Sequence, residues 1–424
     1  MNVLDLVKNY EEYIVSMRRY FHENPELSGE EINTVKKICL ELDSMGVEYV
    51  KIEKGGILAK ISGGTSDKAV LLRADVDALK IEESNDNLIK NGRTCVSKNQ
   101  GVMHACGHDG HTAMLLGAVK ALNQIKDKIN GTIYFCFECG EELIGYARYI
   151  LKYIEDNDIK IDTVFGMHLY SELESGKIFV NDDAVMAGNI TFDVEIIGKG
   201  GHGSRPDQAI SPIDCFSFVH QKLLAFKDDE RFKKCTYSVG QVNAGSAKNI
   251  IPQTLTFSGT MRTFDMDQAG EQFFEEFITM LEDTTKEHGC KTEYQMPVIS
   301  NLPLINDCEF ARFARNAFNK NLGADFATTG EPWMATESFS NYTYQWPGVF
   351  ALVGIKNEIK GTGAPHHNHQ FDIDESVLVN GCAMHVVYAL EFLNSQLSGG
   401  RKMTYRVLLD KARKTNYIKE LYNE

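Results

Sequence analysis

The chain has 424 residues, of which 43% are hydrophobic, and it carries a formal net charge of −15. This length allows two or three domains of roughly 100–200 residues each, and the hydrophobic content argues against a largely disordered chain. Lysine and arginine form no basic stripe. The composition therefore predicts neither a nucleic-acid partner nor an anionic membrane partner, since both bind through basic patches.

The N-terminus and the cysteines predict a cytoplasmic protein. The first residues include Asp5 and Glu11 and lack the basic segment and apolar stretch of a secretory signal. No run of about 18 apolar residues is present, so we expect no transmembrane helix. Ten cysteines are scattered along the chain, which is typical of reduced thiols in a large cytosolic protein and not of a disulfide framework.

Residues 1–23 and 30–46 predict amphipathic helices. They are followed by short, continuous apolar runs that are typical of buried strands in a largely parallel sheet covered by helices on both faces. The runs lie at residues 69–74, 133–137, 163–167 and, late in the chain, 349–354. The fold class predicted for this catalytic domain is therefore α/β.

Between residues 187 and 296 the order of elements changes to strand, helix, strand, strand, helix, strand, which is that of a ferredoxin-like α+β domain. The strands are predicted at 190–197, 235–242, 253–262 and 291–296, and the helices at 211–226 and 266–288. We therefore predict a catalytic domain formed by residues 1–186 and 297–424, with the smaller domain inserted. A surface helix is expected beyond Ser398.

The segment 103–111 contains Cys106, three histidines and Asp109, directly before an apolar helical pattern. Neutral imidazole and thiolate groups both bind borderline-soft divalent metals. Cys106 and His108 are two residues apart, and Gly107 lets the chain turn between them. Taken alone, Cys106 also suits a buried small hydrophobic residue, but the recurrence of metal-binding residue types elsewhere favours a metal site.

Acidic and imidazole residues follow the predicted strands, at the sheet edge where ligands bind in parallel sheets. Glu141 and Glu142 follow the second strand. In extended backbone their side chains point to opposite sides, so one can bind a metal while the other acts as a general base. The alternative is a solvated acidic pair that begins a helix at 141–151.

Further candidates are supported by position only. His168 ends the third predicted strand, where a lone histidine is more often a hydrogen-bonded core residue. The run 365–369 supplies three more histidines, or forms a surface loop. Asp75 and Asp77 can orient ligating histidines through hydrogen bonds, or cap the start of a helix.

These segments resemble the aminoacylase-type family of dimetal metallopeptidases, in particular its amidohydrolase branch. That branch includes hippurate hydrolase, the indoleacetyl-amino-acid hydrolases and N-acetyl-diaminopimelate deacetylase. The similarity runs in family order over nearly all of residues 10–395. The matching segments are 72–79, 101–113, 140–142, 166–168, 198–203, 249–252 and 259–262, with His367 ahead of Phe371 and Asp372.

The resemblance implies two divalent cations per subunit, zinc or manganese before cobalt or nickel, which the ligand types also tolerate. The implied metal ligands are Cys106, His108, Glu142, His168 and His367. The residues implied for catalysis are Glu141 as the general base, Asp77 and His202. In the family pattern His104 and His111 are neighbours of the site, and His366 and His369 are rivals of His367.

The resemblance also implies a homodimer formed through the inserted domain, with His202 reaching a neighbouring subunit's site to stabilise the oxyanion. Asn249 and Arg262 match positions that bind the carboxylate of the substrate. A guanidinium suits this task because it pairs with a carboxylate in bidentate fashion. The alternatives are a helix-capping role for Asn249 and a surface position for Arg262.

We therefore predict a metal-dependent amidohydrolase that cleaves N-acyl-amino acids to a carboxylate and an amino acid. Two alternatives stay open, namely a dipeptidase or carboxypeptidase with the same metals and a catalytically silent metal- or ligand-binding homologue. The chain departs from the family pattern near the substrate. It has Glu138-Cys139-Gly140 for the usual Gln-Pro-Ala, Leu143-Ile144 for glycines, Ser338 for an acid, and His369 for a proline.

Overall fold

The structure is a computed structural model that describes residues 2–143, 145–226 and 229–402, with all their side chains except those of 267 and 295–300. The described chain forms two compact units. The first comprises residues 2–185, 305–331 and 338–402, and the second comprises residues 186–304 and 332–337. The C-terminal helix predicted around Lys411 and Arg413 lies outside the described residues.

The helices and strands are numbered in chain order. The helices are α1 (Val3–Lys8), α2 (Glu11–Glu23), α3 (Ile32–Met45), α4 (His108–Gln124), α5 (Ala147–Asp156), α6 (Pro212–Ala225), α7 (Glu271–Glu287), α8 (Cys308–Leu322), α9 (Ser340–Thr343) and α10 (Leu378–Asn394). The strands are β1 (Glu48–Ile52), β2 (Gly56–Gly63), β3 (Ala69–Asp75), β4 (Gly131–Glu138), β5 (Thr163–Glu174), β6 (Ile178–Phe179), β7 (Ala184–Met186), β8 (Gly188–Ile197), β9 (Gly201–His202), β10 (Cys235–Ala244), β11 (Ile250–Ile251), β12 (Thr254–Thr263), β13 (Lys291–Asn301), β14 (Leu304–Ile305) and β15 (Gly348–Lys356).

The first unit is built on a seven-stranded sheet in the order β1-β2-β4-β3-β5-β15-β6. The four central strands, β4, β3, β5 and β15, are parallel to one another, whereas β1, β2 and β6 pair antiparallel at the edges. All seven residues of β3 are buried, as expected for a strand covered on both faces. The predicted α/β fold with a largely parallel sheet is confirmed.

Helix α4 positions the metal-binding motif at the edge of this sheet. It begins at His108, directly after Gly107, whose φ of 96° is in the left-handed region that glycine adopts without strain. The predicted first turn, from His108 to His111, is confirmed. The helix packs against α2 and α10 and is buried over most of its length.

Three sequence predictions of the first unit were wrong in their bounds. The helix predicted at 1–23 is two helices, because the first ends at Lys8 and the second begins at Glu11. The helix predicted at 141–151 begins only at Ala147. The strand predicted to end at His168 continues to Glu174, because β15 pairs with it from Val164 to Tyr170 and, after an irregularity, again at Glu174.

Helix α10 bears on the expectation that no transmembrane helix is present. By length and composition alone, the helical stretch Glu375–Asn394 could cross a membrane. However, 78% of its apolar window is buried inside the structure. This is the pattern of a core helix.

The second unit contains a four-stranded antiparallel sheet in the order β10-β12-β8-β13, with helices α6 and α7. The chain order of these elements and their order in the sheet confirm the predicted ferredoxin-like arrangement. The two helices share one core with the sheet, in which Val219 and Leu281 contact the same apolar cluster as Phe192. Strand β10 is an edge strand.

Candidate active site

Three neighbouring parallel strands carry the predicted site residues to one edge of the sheet. Asp75 ends β3 and Asp77 follows it, while Glu141 and Glu142 lie in a turn shortly after β4. His168 lies within β5, next to β3 in the sheet. The carboxyl ends of parallel strands meet at the same edge, where a sheet of this type binds its ligands.

Six of the predicted residues converge there. The Sγ of Cys106 lies 3.5 Å from Nε2 of His168. Three overlapping triads are found. Within each triad the three ligand atoms lie within 4.8 Å of one another, so that each triad could hold a metal ion. They are Cys106-His108-His168, Cys106-Glu142-His367 and His108-Glu141-Glu142. Together they contain the five predicted ligands and the predicted base.

His108 is held by Asp77 so that one ring nitrogen faces the cluster. Its Nδ1 lies 3.0 Å from Oδ1 of Asp77, and the other oxygen of Asp77 accepts hydrogen bonds from Ser28 Oγ and the amide of Glu142. Nε2 of His108 is buried and has no hydrogen-bond partner among the described residues. Burial raises the pKa of Asp77, but the hydrogen bond and charge of His108 outweigh it and lower that pKa below its usual value. Asp77 thus acts on His108 as a carboxylate that orients the ring.

Glu142 and His367 face each other at the same site. Oε1 of Glu142 is buried and lies 3.2 Å from Nε2 of His367, but it makes no hydrogen bond within the described part of the chain. His367 has a φ of 62°, and its amide donates to the carbonyl oxygen of Ala105. Left-handed backbone is uncommon for a residue other than glycine and occurs often at functional sites.

Two further histidines of the motif occupy different surroundings. Both ring nitrogens of His111 are engaged, one with Asp75 Oδ1 at 2.6 Å and the other as acceptor of the Leu169 amide. Asp75, His108 and His111 also form a close triad, but these bonds and an ion pair from Arg73 to Asp75 occupy it. His104 is buried, and burial lowers its pKa to about 4.

His366 is the rival of His367 on the same loop. Its Nδ1 lies 3.7 Å from the Sγ of Cys106, and its Nε2 accepts from the amide of Ser171. Burial lowers the pKa of His366 to about 3. Because one nitrogen is used by the main chain and the ring belongs to none of the triads, His367 is the better candidate ligand. His369 is exposed.

The donor atoms of the cluster suit a divalent cation. Burial and the nearby Glu142 carboxylate raise the pKa of the Cys106 thiol well above its usual range, so a cation is needed to keep the thiolate in this place. Burial lowers the pKa of His168 well below its usual value, which leaves a neutral imidazole. A neutral imidazole is the form that binds metals. The buried Nε2 of His108 and Oε1 of Glu142 add two acceptors that no described residue satisfies by hydrogen bonding.

The remaining predicted residues lie in the second unit. His202 and Asn249 are brought together by the pairing of β9 with β11, in which the Gly203 amide donates to the Asn249 carbonyl oxygen at 2.9 Å. Both side chains are exposed. Arg262 lies on β12, partly buried, and donates from Nη1 to the carbonyl oxygen of Met334.

Several residues that support the cluster were not predicted from the sequence. Arg73 and Ser338 form a buried hydrogen-bonded network with Glu138, and the amide of Ser338 donates to Oε1 of Glu141 at 2.8 Å. Glu31 accepts from the amide of Gly140, just before the glutamate pair. The sequence signals were that Arg73 lies in the matching segment 72–79 and that positions 138 and 338 depart from the family pattern.

Comparisons with known proteins agree with this geometry. The model of "Peptidase family M20/M25/M40" matches residues 71–391. The chain is 32% identical over 407 residues to an IAA-amino acid hydrolase ILR1-like 2 of Arabidopsis thaliana, covering 94% of this chain and 90% of the relative. It is 37% identical over 308 residues to an N-acyl-L-amino acid amidohydrolase of Geobacillus stearothermophilus, covering 71% and 80% respectively.

A third relative is thermostable carboxypeptidase 2 of Saccharolobus solfataricus, 32% identical over 92% of this chain and 97% of the relative. Among solved structures, the Bacillus subtilis YXEP protein, described as a dinuclear metal binding peptidase from the M20 family, has a TM-score of 0.78 and 28% identity. That comparison covers 91% of this chain and 99% of the other. The predicted family and the predicted enzyme class, an amide hydrolase, are confirmed: the chain belongs to peptidase family M20/M25/M40.

Proposed function

We propose that the protein is a metal-dependent amidohydrolase that cleaves N-acyl-amino acids to a carboxylate and an amino acid. The observation that carries the proposal is the convergence of five donor residues and one further carboxylate, Glu141, at one sheet edge. A ligand set together with a general base is what metal-assisted hydrolysis of an amide requires.

Two divalent cations would be held by Cys106, His108, Glu142, His168 and His367. The triads that share Cys106 support this division, one with two histidines and the other with Glu142 and His367. We favour zinc or manganese, with cobalt and nickel as alternatives, because thiolate, imidazole and carboxylate ligands accept all four. Cations bound there supply Lewis-acid polarisation of the amide carbonyl and increase the acidity of water.

Glu141 would act as the general base. Its Oε1 accepts the amide hydrogen of Ser338, which holds the carboxylate in one place. In the proposed reaction Glu141 takes a proton from the attacking water and delivers it to the amine nitrogen as the carbon–nitrogen bond breaks.

The second unit would contribute substrate recognition. We propose that Arg262 and Asn249 bind the carboxylate of the amino-acid half and that the partner subunit's His202 stabilises the oxyanion. Arg262 is suited to this because a guanidinium pairs with a carboxylate in bidentate fashion.

A homodimer would form through the inserted domain, for which we keep the boundaries 187 and 296. Two features of the second unit support a dimer contact through this domain. Strand β10 is an edge strand with mostly exposed side chains, including Val242, and unpaired strand edges readily add another strand. Helix α6 exposes the apolar side chains of Ile213, Phe218 and Leu224. Light scattering of the purified protein at several concentrations measures the oligomeric state directly.

The substrate class is supported by the names of the relatives, several of which are hydrolases or deacetylases of N-acyl-amino acids. A carboxypeptidase is the second candidate, because two relatives with that name are 32% identical over 92% of the chain. A catalytically silent homologue is disfavoured by the presence of Glu141, Glu142 and His202. A cytoplasmic location is supported by the ten cysteines, which are all free thiols.

The proposal is tested by replacing Glu141 with glutamine and assaying hippurate, other N-acyl-amino acids and dipeptides side by side with each metal. We expect the wild-type protein to hydrolyse the acyl-amino acids. In the Glu141→Gln variant we expect kcat to fall by at least ~10²-fold while the metal content stays unchanged. Glu172→Gln, an exposed residue on β5, is the matched control. Higher activity on dipeptides would favour the peptidase, and full activity of the Glu141 variant would exclude its role as the base.

A further inference from the structure

A buried ion pair lies beneath Glu141, at the ends of β3 and β4. Arg73 and Glu138 are 2% and 0% exposed. Nε of Arg73 donates to Oε2 of Glu138 at 3.1 Å, and Nη1 donates to Oδ2 of Asp75 at 2.7 Å. A buried pair of this kind keeps its place only when its remaining donors and acceptors are also satisfied.

Ser338 completes the pair. Its hydroxyl accepts a hydrogen bond from Nη2 of Arg73 at 2.8 Å and donates one to Oε1 of Glu138 at 2.7 Å. A hydroxyl can do both at once, because it has one donor and two acceptor sites. The hydroxyl of Tyr342 donates to the other oxygen of Glu138. The side chain of Ser338 is therefore fixed by a charge on each side.

The main chain of the same residue contacts Glu141. The amide of Ser338 donates to Oε1 of Glu141 at 2.8 Å. The ion pair thus fixes the hydroxyl of Ser338, and the amide of Ser338 fixes the carboxylate of Glu141. Neither Ser338 nor the pair belongs to the donor triads.

We propose that Ser338 is a positioning residue for Glu141 and that the Arg73–Glu138 pair sets the position of Ser338. This inference rests on the proposed role of Glu141 as the base. A proton acceptor must be held close to its productive geometry, and a displacement of about 1 Å can cost ~10²-fold in rate. The network reaches Glu141 through the amide of Ser338, and its members contribute no atom to the donor triads.

The two departures of the sequence at these positions are coupled. An acid stands at 138 where the family pattern has an amide, and a hydroxyl stands at 338 where that pattern has an acid. Relative to the family pattern, a carboxylate is gained at 138 and lost at 338. The two side chains share a hydrogen bond of 2.7 Å and both bond to Arg73, so the two changes act on the same guanidinium. In this fold, exchanging the two residues would leave one carboxylate among the two side chains beside the guanidinium.

The first test compares Ser338→Ala with Ser340→Ala. The hydroxyl of Ser340 is buried, two positions further along, and has no hydrogen-bond partner in the described chain. We expect Ser338→Ala to lower kcat by ~10-fold, with KM and metal content close to those of the wild type. The thermal midpoint should also fall, because Arg73 and Glu138 each lose a buried hydrogen bond. Ser340→Ala should leave kcat unchanged. Wild-type kcat in Ser338→Ala would overturn the proposal.

The second test exchanges the charges. Ser338→Asp places a second carboxylate against Glu138, and like charges at this distance repel, so we expect kcat to fall by at least ~10²-fold. Glu138→Gln together with Ser338→Asp should recover at least ~10-fold of that loss, because one carboxylate again faces Arg73. Metal content by mass spectrometry and thermal unfolding are measured for each variant, so that kcat refers to folded, loaded protein.

The outcomes separate this inference from the proposed function. If Glu141→Gln is inactive but the double variant is no better than Ser338→Asp alone, the positioning role fails and the base stands. If Glu141→Gln remains active, the proposed function fails, whatever the Ser338 variants do.

Discussion

The first two residues of helix α4 face two buried, charged clusters that differ in one respect. His108 belongs to the donor cluster, which we define as Cys106, His108, Glu141, Glu142, His168 and His367. Asp109 belongs to the clamp, which we define as Arg18, His22, Glu83, Asp109 and Asp372. In the clamp the charged atoms face one another, whereas in the donor cluster two buried atoms have no hydrogen-bond partner within the described residues.

The clamp shows what a structural charge cluster looks like. Arg18 donates to Asp109 at 3.0 Å and to Asp372 at 3.2 Å. The ring nitrogens of His22 lie 2.8 Å from carboxylate oxygens of Asp109 and Glu83. Burial and Arg18 lower the pKa of His22, but the two carboxylates outweigh them and raise it above its usual value. The clamp therefore ties α2 to the start of α4 through compensated charges.

This contrast between the clamp and the donor cluster shows that burial of charge does not by itself indicate function. Buried polar groups are normally satisfied, so each exception needs an explanation. His104 shows the limit of that rule, because neither of its buried nitrogens has a partner in the described chain, yet it belongs to no donor triad. An unsatisfied atom indicates a metal site only where several donors converge.

The largest expected effect comes from deleting one converging atom. His108→Asn keeps an amide near Asp77 but removes the Nε2, which has no hydrogen bond to a described residue. We expect metal affinity to fall by more than ~10²-fold, since even outer-shell substitutions cost ~10–100-fold, and turnover to fall with it. Metal titration of chelator-treated protein measures the affinity.

The thermal midpoint of the metal-free His108→Asn variant should stay nearer to that of the metal-free wild type than that of an Arg18→Met variant does, because the asparagine amide can still face Asp77 and the Nε2 that is lost makes no hydrogen bond with a described residue. A large drop in that midpoint, with metal affinity retained, would show that His108 has a structural role like that of the clamp residues and is not a metal ligand.

The clamp should respond in the opposite way. Arg18→Met leaves the buried carboxylates of Asp109 and Asp372 without their guanidinium. Breaking a buried ion pair from one side costs about 3–5 kcal/mol, so we expect the free energy of unfolding in urea to fall by that amount. The folded fraction should still bind metal with an affinity within a few-fold of wild type. Arg19→Met, at the exposed neighbouring arginine, is the control and should cost less than about 1 kcal/mol.

A smaller effect is expected from the carboxylate that orients the donor. Asp77→Asn keeps an oxygen near His108 but removes the charge that fixes the ring. We expect metal affinity to fall by ~10–100-fold, the range for outer-shell partners of metal-binding histidines. Competition with a chelator of known affinity measures the change. An affinity equal to wild type would show that Asp77 serves only the turn that holds Ser28 and Glu142.

The sequence predicted the strands and the helix start that depend on a local residue pattern. Continuous apolar runs predicted β3 and β4 to within two residues, and the Cys-Gly-His segment predicted the start of α4. The continuation of β5 to Glu174 was missed, because residues 170–174 alternate in exposure and do not extend the continuous apolar run; they pair with β15 at Tyr170 and Glu174. Such pairing joins segments that are far apart in the chain.

The support of the site could not be predicted for the same reason. The hydrogen bonds of Glu138 to Arg73 and Ser338 span 65 and 200 positions, and no local periodicity encodes them. The family pattern marked positions 138 and 338 as unusual, but only the fold shows that they touch. The choice between His366 and His367 also depends on contacts with distant residues, namely the amide of Ser171 and the carboxylate of Glu142.

The last prediction, with the least change in stability, concerns Glu31, a buried carboxylate near the donor cluster that forms no ion pair with a described residue. Its Oε1 accepts from the amides of Gly29 and Gly140 at 2.8 and 2.7 Å. Burial, and then the charge of Asp77, raise the pKa of Glu31 to about 7, from 4.5 for an ordinary glutamate. Since the folded state binds the proton more tightly, Glu31 contributes stability that is present below about pH 4.5 and is lost as the pH rises through about 7.

Glu31→Gln keeps an oxygen for both amides and removes the titration. We therefore expect the thermal midpoint of the variant, relative to wild type, to rise between about pH 5 and pH 8 in metal-free protein. Glu30→Gln, at the exposed neighbouring position, should show no such trend. A difference between the Glu31 variant and wild type that does not change with pH would mean that this carboxylate is ionised throughout. In that case its two amide donors suffice to stabilise a buried charge, as the paired charges do in the clamp.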